Sequence, residues 1–186
     1  MSTVCALKIE GGVILGSDTQ ETQDDIALHL HSHPKWIVRG NHAIGAAGIA
    51  RTLNQIHGKV DEILKGEPGP VALADRLIQL LKDSGYTPRT EKMYLPDWGQ
   101  NIIYVQEGQI WEYDECFSWS PVDHFSAIGS GKCFAMATES ALRDQRISPL
   151  DRMKRALEVA CRFDVNSGGA LFIDTLQASA QDAHGQ

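Results

Sequence analysis

The order in which apolar runs follow one another constrains this chain more than any other feature. Short strand-like runs come first, then two helical stretches, further strand-like runs, two more helical stretches and a closing strand. The opening run, Thr3-Val4-Cys5-Ala6-Leu7-Lys8-Ile9, is rich in β-branched and apolar residues. Glu10-Gly11-Gly12 supplies a tight turn into Val13-Ile14-Leu15-Gly16-Ser17, so a hairpin begins at residue 2. After a polar segment over 18–33, Trp36-Ile37-Val38 and His42-Ala43-Ile44 flank Arg39-Gly40-Asn41. The pattern predicts four strands ahead of any helix.

Apolar residues then change period. Ile49, Leu53, Ile56, Val60 and Ile63-Leu64 recur at helical spacing over 48–65, and a second helix is expected over 71–84, past the breaker Gly66-Glu67-Pro68-Gly69-Pro70. A loop over 86–100 precedes a hairpin, 101–105 with 109–113, turning at Glu107-Gly108. Ala127-Ile128 leads into Gly129-Ser130-Gly131. Helical periodicity covers 134–146 and 150–163, with Pro149 at the start of the latter. A strand over 170–174 closes the pattern, and 177–186 is expected to fray. These elements fit one α+β domain over 1–176: a four-layer αββα sandwich, two sheets face to face with a helix pair outside each.

Composition narrows the function classes. At 186 residues and 42% hydrophobic content, one domain can bury about two-thirds of its unfolded surface. A formal net charge of -7 with scattered Lys and Arg argues against nucleic acid or an anionic membrane as partner. No apolar run approaches the roughly 18 residues of a membrane span, and no basic segment with an apolar core opens the chain, so a cytoplasmic protein is expected. Cys5, Cys116, Cys133 and Cys161 lie far apart, which suits neither a zinc site nor a disulfide scaffold. His29, His31 and His33 alternate, placing three imidazoles on one face of a strand, but no Cys or carboxylate at matching spacing completes a metal site. A polar or pH-sensitive strand is the simpler reading, with no metal and no cofactor.

An enzyme can use one residue twice when that residue stands first in the mature chain: its hydroxyl attacks a carbonyl while its own α-amine takes the proton. Removal of Met1 would leave Ser2 in that position, with an α-amine pKa of about 7.7–8.0 before environmental shifts. Ser2-Thr3-Val4-Cys5-Ala6-Leu7 and Gly12-Val13-Ile14-Leu15-Gly16-Ser17-Asp18 resemble the first two strands of the proteasome β-subunit and HslV family of N-terminal-nucleophile hydrolases. His33-Pro34-Lys35-Trp36-Ile37 is similar to that family's lysine segment. Ile44-Gly45-Ala46-Ala47-Gly48 is similar to its glycine-containing strand end. Ala127-Ile128-Gly129-Ser130-Gly131 and Asp164-Val165-Asn166-Ser167-Gly168-Gly169 resemble its Gly-Ser-Gly and Asp-x-x-Ser-Gly-Gly motifs. The likeness runs from the first strand to the last, and in size the chain is nearest to small bacterial, including betaproteobacterial, proteasome homologues.

The resemblance implies a site. Ser2 would be the nucleophile where the family mostly carries Thr, and Thr3 the alternative if the hairpin is one residue shorter. Asp18 and Lys35 would be its partners, Gly45 the oxyanion donor, and Ser130, Asp164 and Ser167 the hydrogen-bonding groups around the amine. Thr22, His33 and Ala47 would line the substrate pocket. The resemblance further implies peptide or unfolded-protein substrates and a homo-oligomeric double ring, heptameric or, as in HslV, hexameric. An ATPase unfoldase partner has no signature in the sequence. Serine in place of threonine also keeps a rival in view: a ring-forming scaffold or chamber of the same fold with little peptidase activity.

Overall fold

The computed structural model describes residues 2–23, 26–30, 32–89 and 96–178. Strands β1 (Thr3–Ile9) and β2 (Gly12–Ser17) form the expected hairpin, turning at Gly11 in the left-handed region. β10 (Phe125–Gly129) pairs with the other side of β1, and β11 (Phe172–Gln177) with the other side of β2, giving one antiparallel sheet in the order β10-β1-β2-β11. A second antiparallel sheet runs β5 (Trp36–Arg39), β6 (His42–Gly48), β7 (Gln100–Gln106), β8 (Gln109–Tyr113), β9 (Trp119–Val122).

Helices α1 (Ala50–Ile63) and α2 (Pro70–Asp83) cover the second sheet, and α3 (Lys132–Leu142) and α4 (Pro149–Phe163) cover the first. Side-chain alternation along β1 separates two cores: Val4 and Ala6 face the other sheet, whereas Cys5 and Leu7 face α3 and α4. A third core, with Ile44, Ile56, Leu73, Leu77 and Tyr104, lies under α1 and α2. The expected four layers are therefore present.

Three local expectations change. Among the described residues six strands, not four, precede α1, because β3 (Gln20–Gln23) and β4 (Ile26–Leu30) pair within the segment over 18–33. β3 carries no apolar alternation, the signal that reading depends on, whereas β4 does, with Ile26, Leu28 and Leu30 at alternate positions inside an otherwise polar stretch. The edge strand β9 escapes the pattern for the same reason as β3; its burial is slight and Pro121 sits within it. The closing strand begins two residues later than expected and runs to Gln177, and Ala178 N–H still bonds Gly11 C=O at 2.9 Å. Of the expected frayed tail, 179–186 lie outside the described residues, as do Met1 and His31.

α4 is the best-determined helix from local sequence. Ser148 caps it, its Oγ accepting Asp151 N–H at 3.1 Å, Pro149 occupies the first turn, and Asp151 complements the positive end of the helix. Its buried face, Met153, Ala156, Leu157 and Ala160, packs on β1 and β2 and so holds the start of the chain from behind.

Candidate active site

The residues expected to carry chemistry converge at one end of the two sheets. Asp18 directly follows β2 and is fully buried, ringed by donors. Its Oδ1 accepts Thr3 N–H at 3.0 Å and Lys35 Nζ at 2.8 Å; its Oδ2 accepts Gln20 N–H at 3.2 Å and Gly168 N–H at 3.0 Å. The carboxylate thus ties the start of β1, the segment before β5 and the loop after α4 to one point. Lys35 Nζ also donates to Gln20 C=O, and Lys35 N–H is held by Ser17 Oγ at 3.1 Å. Burial pushes the Lys35 amine below the usual lysine range, a tendency that its contact with Asp18 opposes.

A second cluster stands beside the first. Asp164, the C-cap of α4, accepts Ser130 Oγ–H at 2.7 Å and Ser167 Oγ–H at 2.6 Å on Oδ2. Because the Ser167 hydrogen goes to Asp164, the 2.7 Å contact between the Thr3 and Ser167 hydroxyls has Thr3 as donor. Ser130, Asp164 and Ser167 therefore form one network, which reaches the first strand through Thr3. Gly129 makes that approach tight: its φ is +91°, and a Cβ there would collide with the Ser2 carbonyl oxygen. Gly129→Ala is expected to lower stability by about 3 kcal/mol, from left-handed strain plus the overlap, measurable as a fall in the thermal unfolding midpoint.

An open cleft of about 980 Å³ runs past these clusters. Ser2, Lys35 and Ser130 line it, as do Thr22, His33 and Ala47, whereas Asp18, Asp164 and Ser167 lie behind its wall. Thr3, one residue from Ser2, does not line it; Thr3 is fully buried on the face of β1 that is turned to α3 and α4. Thr22 Oγ1 donates to Asn166 C=O at 3.4 Å, linking the cleft rim to the loop after α4. The exposed His33 ring stands 5.9 Å, centre to centre, from His57 of α1. Burial, then the charges of His33 and Arg39, hold His57 below the ordinary histidine pKa. The folded state thus binds fewer protons there than the unfolded chain, so the His57 contribution to stability falls as pH drops from about 6.5 through the folded pKa. An NMR titration is expected to find His57 titrating at lower pH than a free imidazole, and His33→Ala is expected to raise it.

Gly45 is placed differently from the expectation. Glu107 N–H bonds Asn41 C=O on the β7 side, and Ala46 N–H bonds Lys35 C=O at 3.1 Å on the β5 side. With the registers Gly45↔Trp36 and Gly45↔Ile103, strand alternation turns the odd-numbered N–H groups of β6 toward β7 and the even-numbered ones toward β5. Gly45 N–H therefore faces Ile103, away from the cleft, and cannot be the oxyanion donor. The residue is Gly for another reason: a Cβ would sit 2.8 Å from Val4 Cγ1 across the two sheets. Ala46 and Gly48, whose N–H groups turn the other way, do line the cleft, and past Trp36 no residue of β5 pairs with this end of β6. A sequence motif names a glycine; only register says which way a peptide points.

Two further residues were not legible in the sequence. Gln20 accepts from Lys35 and, through Nε2, donates to Thr22 Oγ1 at 3.2 Å and Val165 C=O at 2.8 Å, but a lone Gln in a polar stretch carries no signal. Ser17 was visible only as the residue before Asp18. Among the described residues no group of three His, Cys, Asp or Glu side chains could hold a metal ion, and no helix is long and apolar enough to cross a membrane. Cys161 is half-buried; burial and the nearby Asp18 push its thiol up to about 11.

No family model matches the chain. The ATP-dependent protease subunit HslV of Caulobacter sp. (strain K31) is 25% identical over 180 residues, 94% of each chain. Among solved structures, Thiobacillus denitrificans BPH superposes with a TM-score of 0.80 at 18% identity, over 96% of this chain and all of that one. The same protein in complex with epoxomicin gives 0.77 at 17% identity, over 95% and 99%. Eukaryotic HslV from Trypanosoma brucei gives 0.71 at 23% identity, over 94% and 99%. Over nearly its whole length the chain is thus similar in sequence to an HslV subunit, and it shares the fold of HslV and of Thiobacillus denitrificans BPH, which supports an HslV-like proteasome β-subunit relationship.

Proposed function

We propose that this chain is a serine-type N-terminal-nucleophile endopeptidase of the cytoplasm, working without a cofactor inside a homo-oligomeric double ring. The observation that carries the reading is the arrangement around Ser2. Ser2 and Lys35 line one cleft; Asp18 holds Lys35 Nζ and the N–H of Thr3, the residue after Ser2, while the Thr3 side chain is turned away and engages Ser167. Once Met1 is removed, Ser2 Oγ attacks the scissile carbonyl and the α-amine of Ser2 takes its proton, with the lowered Lys35 amine as relay. Asp18 holds Lys35 in place. The network of Ser130, Asp164 and Ser167 positions the amine end, and Thr22, His33 and Ala47 contact the peptide. Gly48, whose N–H turns to the same side as that of Ala46 but lies past the last β5 pairing, replaces Gly45 as the backbone donor offered to the oxyanion. The amine product then leaves, and water resolves the acyl-enzyme.

Family likeness supports a ring of heptamers, with hexamers as in HslV the other arrangement, and peptide or unfolded protein as substrate. Intact mass spectrometry tests the enzyme directly. Loss of Met1 and one adduct per chain with an epoxyketone or boronate peptide are expected. Retained Met1 with no adduct overturns the reading and favours the second one, a ring-forming scaffold. One observation weighs toward that second reading: serine lacks the methyl that confines the threonine hydroxyl to fewer rotamers.

A further inference from the structure

Past Gly48 the cleft ends at the start of α1, and this helix start is unusual. Its N-cap is Ile49, which offers no side-chain acceptor, and its first turn contains no acidic residue but does contain Arg51. The N–H of Ile49 is held by Gln100 Oε1 at 3.2 Å and that of Thr52 by Ile49 C=O at 2.9 Å. Among the described residues nothing accepts the N–H groups of Ala50 and Arg51.

Beside them stand two buried donors with no partner among the described residues, Gln100 Nε2 and Trp98 Nε1, on residues only 1% and 5% exposed. The bond from Ile49 to Oε1 fixes the orientation of the Gln100 carboxamide, so its NH2 group is a donor by geometry rather than by choice of flip. Ile49, Ala50, Arg51, Trp98 and Gln100 all line the cleft that holds Ser2. Of the carboxylates that also line the cleft, Glu21, Asp97 and Glu115, Asp97 is held by a backbone donor, its Oδ1 accepting Gly99 N–H at 2.7 Å. Arg51 lies over the Tyr86 ring, its Cζ 5.8 Å from the centroid, and is exposed.

Donors without acceptors, a positive helix end and an arginine call for an anion. We propose that the start of α1, with Arg51, Gln100 and Trp98, is a carboxylate pocket that selects peptides bearing Glu or Asp on the acyl side of the cut. The position follows from register. Gly129, pressed against the Ser2 carbonyl, would bring a Cβ within 3.2 Å of Ala47 Cβ, so the nucleophile sits over Ala47, three residues before the start of α1. From Ala47 the same cleft wall continues through Gly48 and Ile49 to Ala50 and Arg51. The half-exposed Ile49 also lines this part of the cleft. The pocket rests on the peptidase reading for its role in cleavage, though not for binding.

Four fluorogenic peptides that differ only in the residue before the leaving group, Glu, Gln, Leu or Lys, test the assignment. The Glu peptide is expected to exceed the Gln peptide at least tenfold in kcat/KM, less so at high salt. Arg51→Gln, at an exposed position, and Gln100→Glu, which keeps the acceptor for Ile49 but replaces the donor with an anion, are each expected to bring the ratio close to one. Calorimetry on the Ser2→Ala protein with the uncleaved Glu and Gln peptides reads binding without turnover, and the Glu peptide is expected to bind at least tenfold tighter. Equal or better cleavage of Gln, Leu or Lys peptides, or equal binding, overturns the pocket and leaves the peptidase standing. No cleavage of any peptide with Glu-selective binding retained sinks the peptidase and upholds the pocket.

Discussion

Ser2→Ala is expected to lower peptide hydrolysis at least ~1,000-fold and to abolish the covalent adduct with an electrophilic peptide, while the unfolding midpoint stays within a degree or two. The asymmetry between activity and stability follows from placement. The Ser2 side chain faces the cleft, so deleting its oxygen removes the attacking atom and leaves the packing of β1 intact, because the anchors of that strand are Val4, Cys5, Ala6 and Leu7. Thr3→Ala is the contrasting variant. It removes a buried hydroxyl that donates to Ser167 and is expected to cost about 1–2 kcal/mol of stability, yet adduct formation at Ser2 persists. Adduct mass mapped to Thr3 instead, or full activity in Ser2→Ala, would dispose of the assignment of Ser2.

Lys35→Met is expected to damage both fold and chemistry. The Lys35 and Asp18 side chains are only 6% and 0% exposed, and removing the cation leaves a buried carboxylate without its counter-charge. Loss of one partner of such a pair costs about 3–5 kcal/mol, moderated here by the three backbone N–H groups that still bond Asp18. Activity is expected to fall about 100- to 10,000-fold with loss of the proton relay. Lys35→Arg separates the two effects. Arginine restores the charge and part of the stability, but its guanidinium does not lose a proton in the working range, so activity stays low.

The sign of the pH effect follows from burial. With the folded pKa of Lys35 below its unfolded value of about 10.4, the unfolded chain holds more protons between the two values, and stability rises with pH through that window. Chemical denaturation across alkaline pH is expected to show this rise in the native protein and its absence in Lys35→Arg. A flat profile in both would mean that the attraction to Asp18 outweighs desolvation.

The layer order was legible in the sequence because each element states its own burial. The alternation of Val4, Ala6 with Cys5, Leu7, the helical spacing of Leu53, Ile56, Val60 and Ile63, and the Ser148-Pro149 start of α4 are local signals of where water is excluded. Asp18, Lys35, Ser130, Asp164 and Ser167 were legible as a set through motif likeness, and the fold brings all five to the same end of the sheets. Strands β3 and β9 were not, since pairing there rests on backbone hydrogen bonds that leave no trace in side-chain hydropathy.

By itself the sequence determined the layers, the hairpin at the start of the chain and the chemical types at its end. Only the tertiary structure decided between neighbours. A shift of one residue along a strand reverses both the side chain and the peptide, so Ser2 reaches the cleft where Thr3 does not, and Ala46 turns its N–H toward β5 where Gly45 turns to β7. Composition cannot carry that parity, because it is set by which strands pair and in what register. The same holds for Gln100 and Trp98, separated in sequence from Ile49 by some fifty residues of helix and loop and brought to the start of α1 by the pairing of β6 with β7.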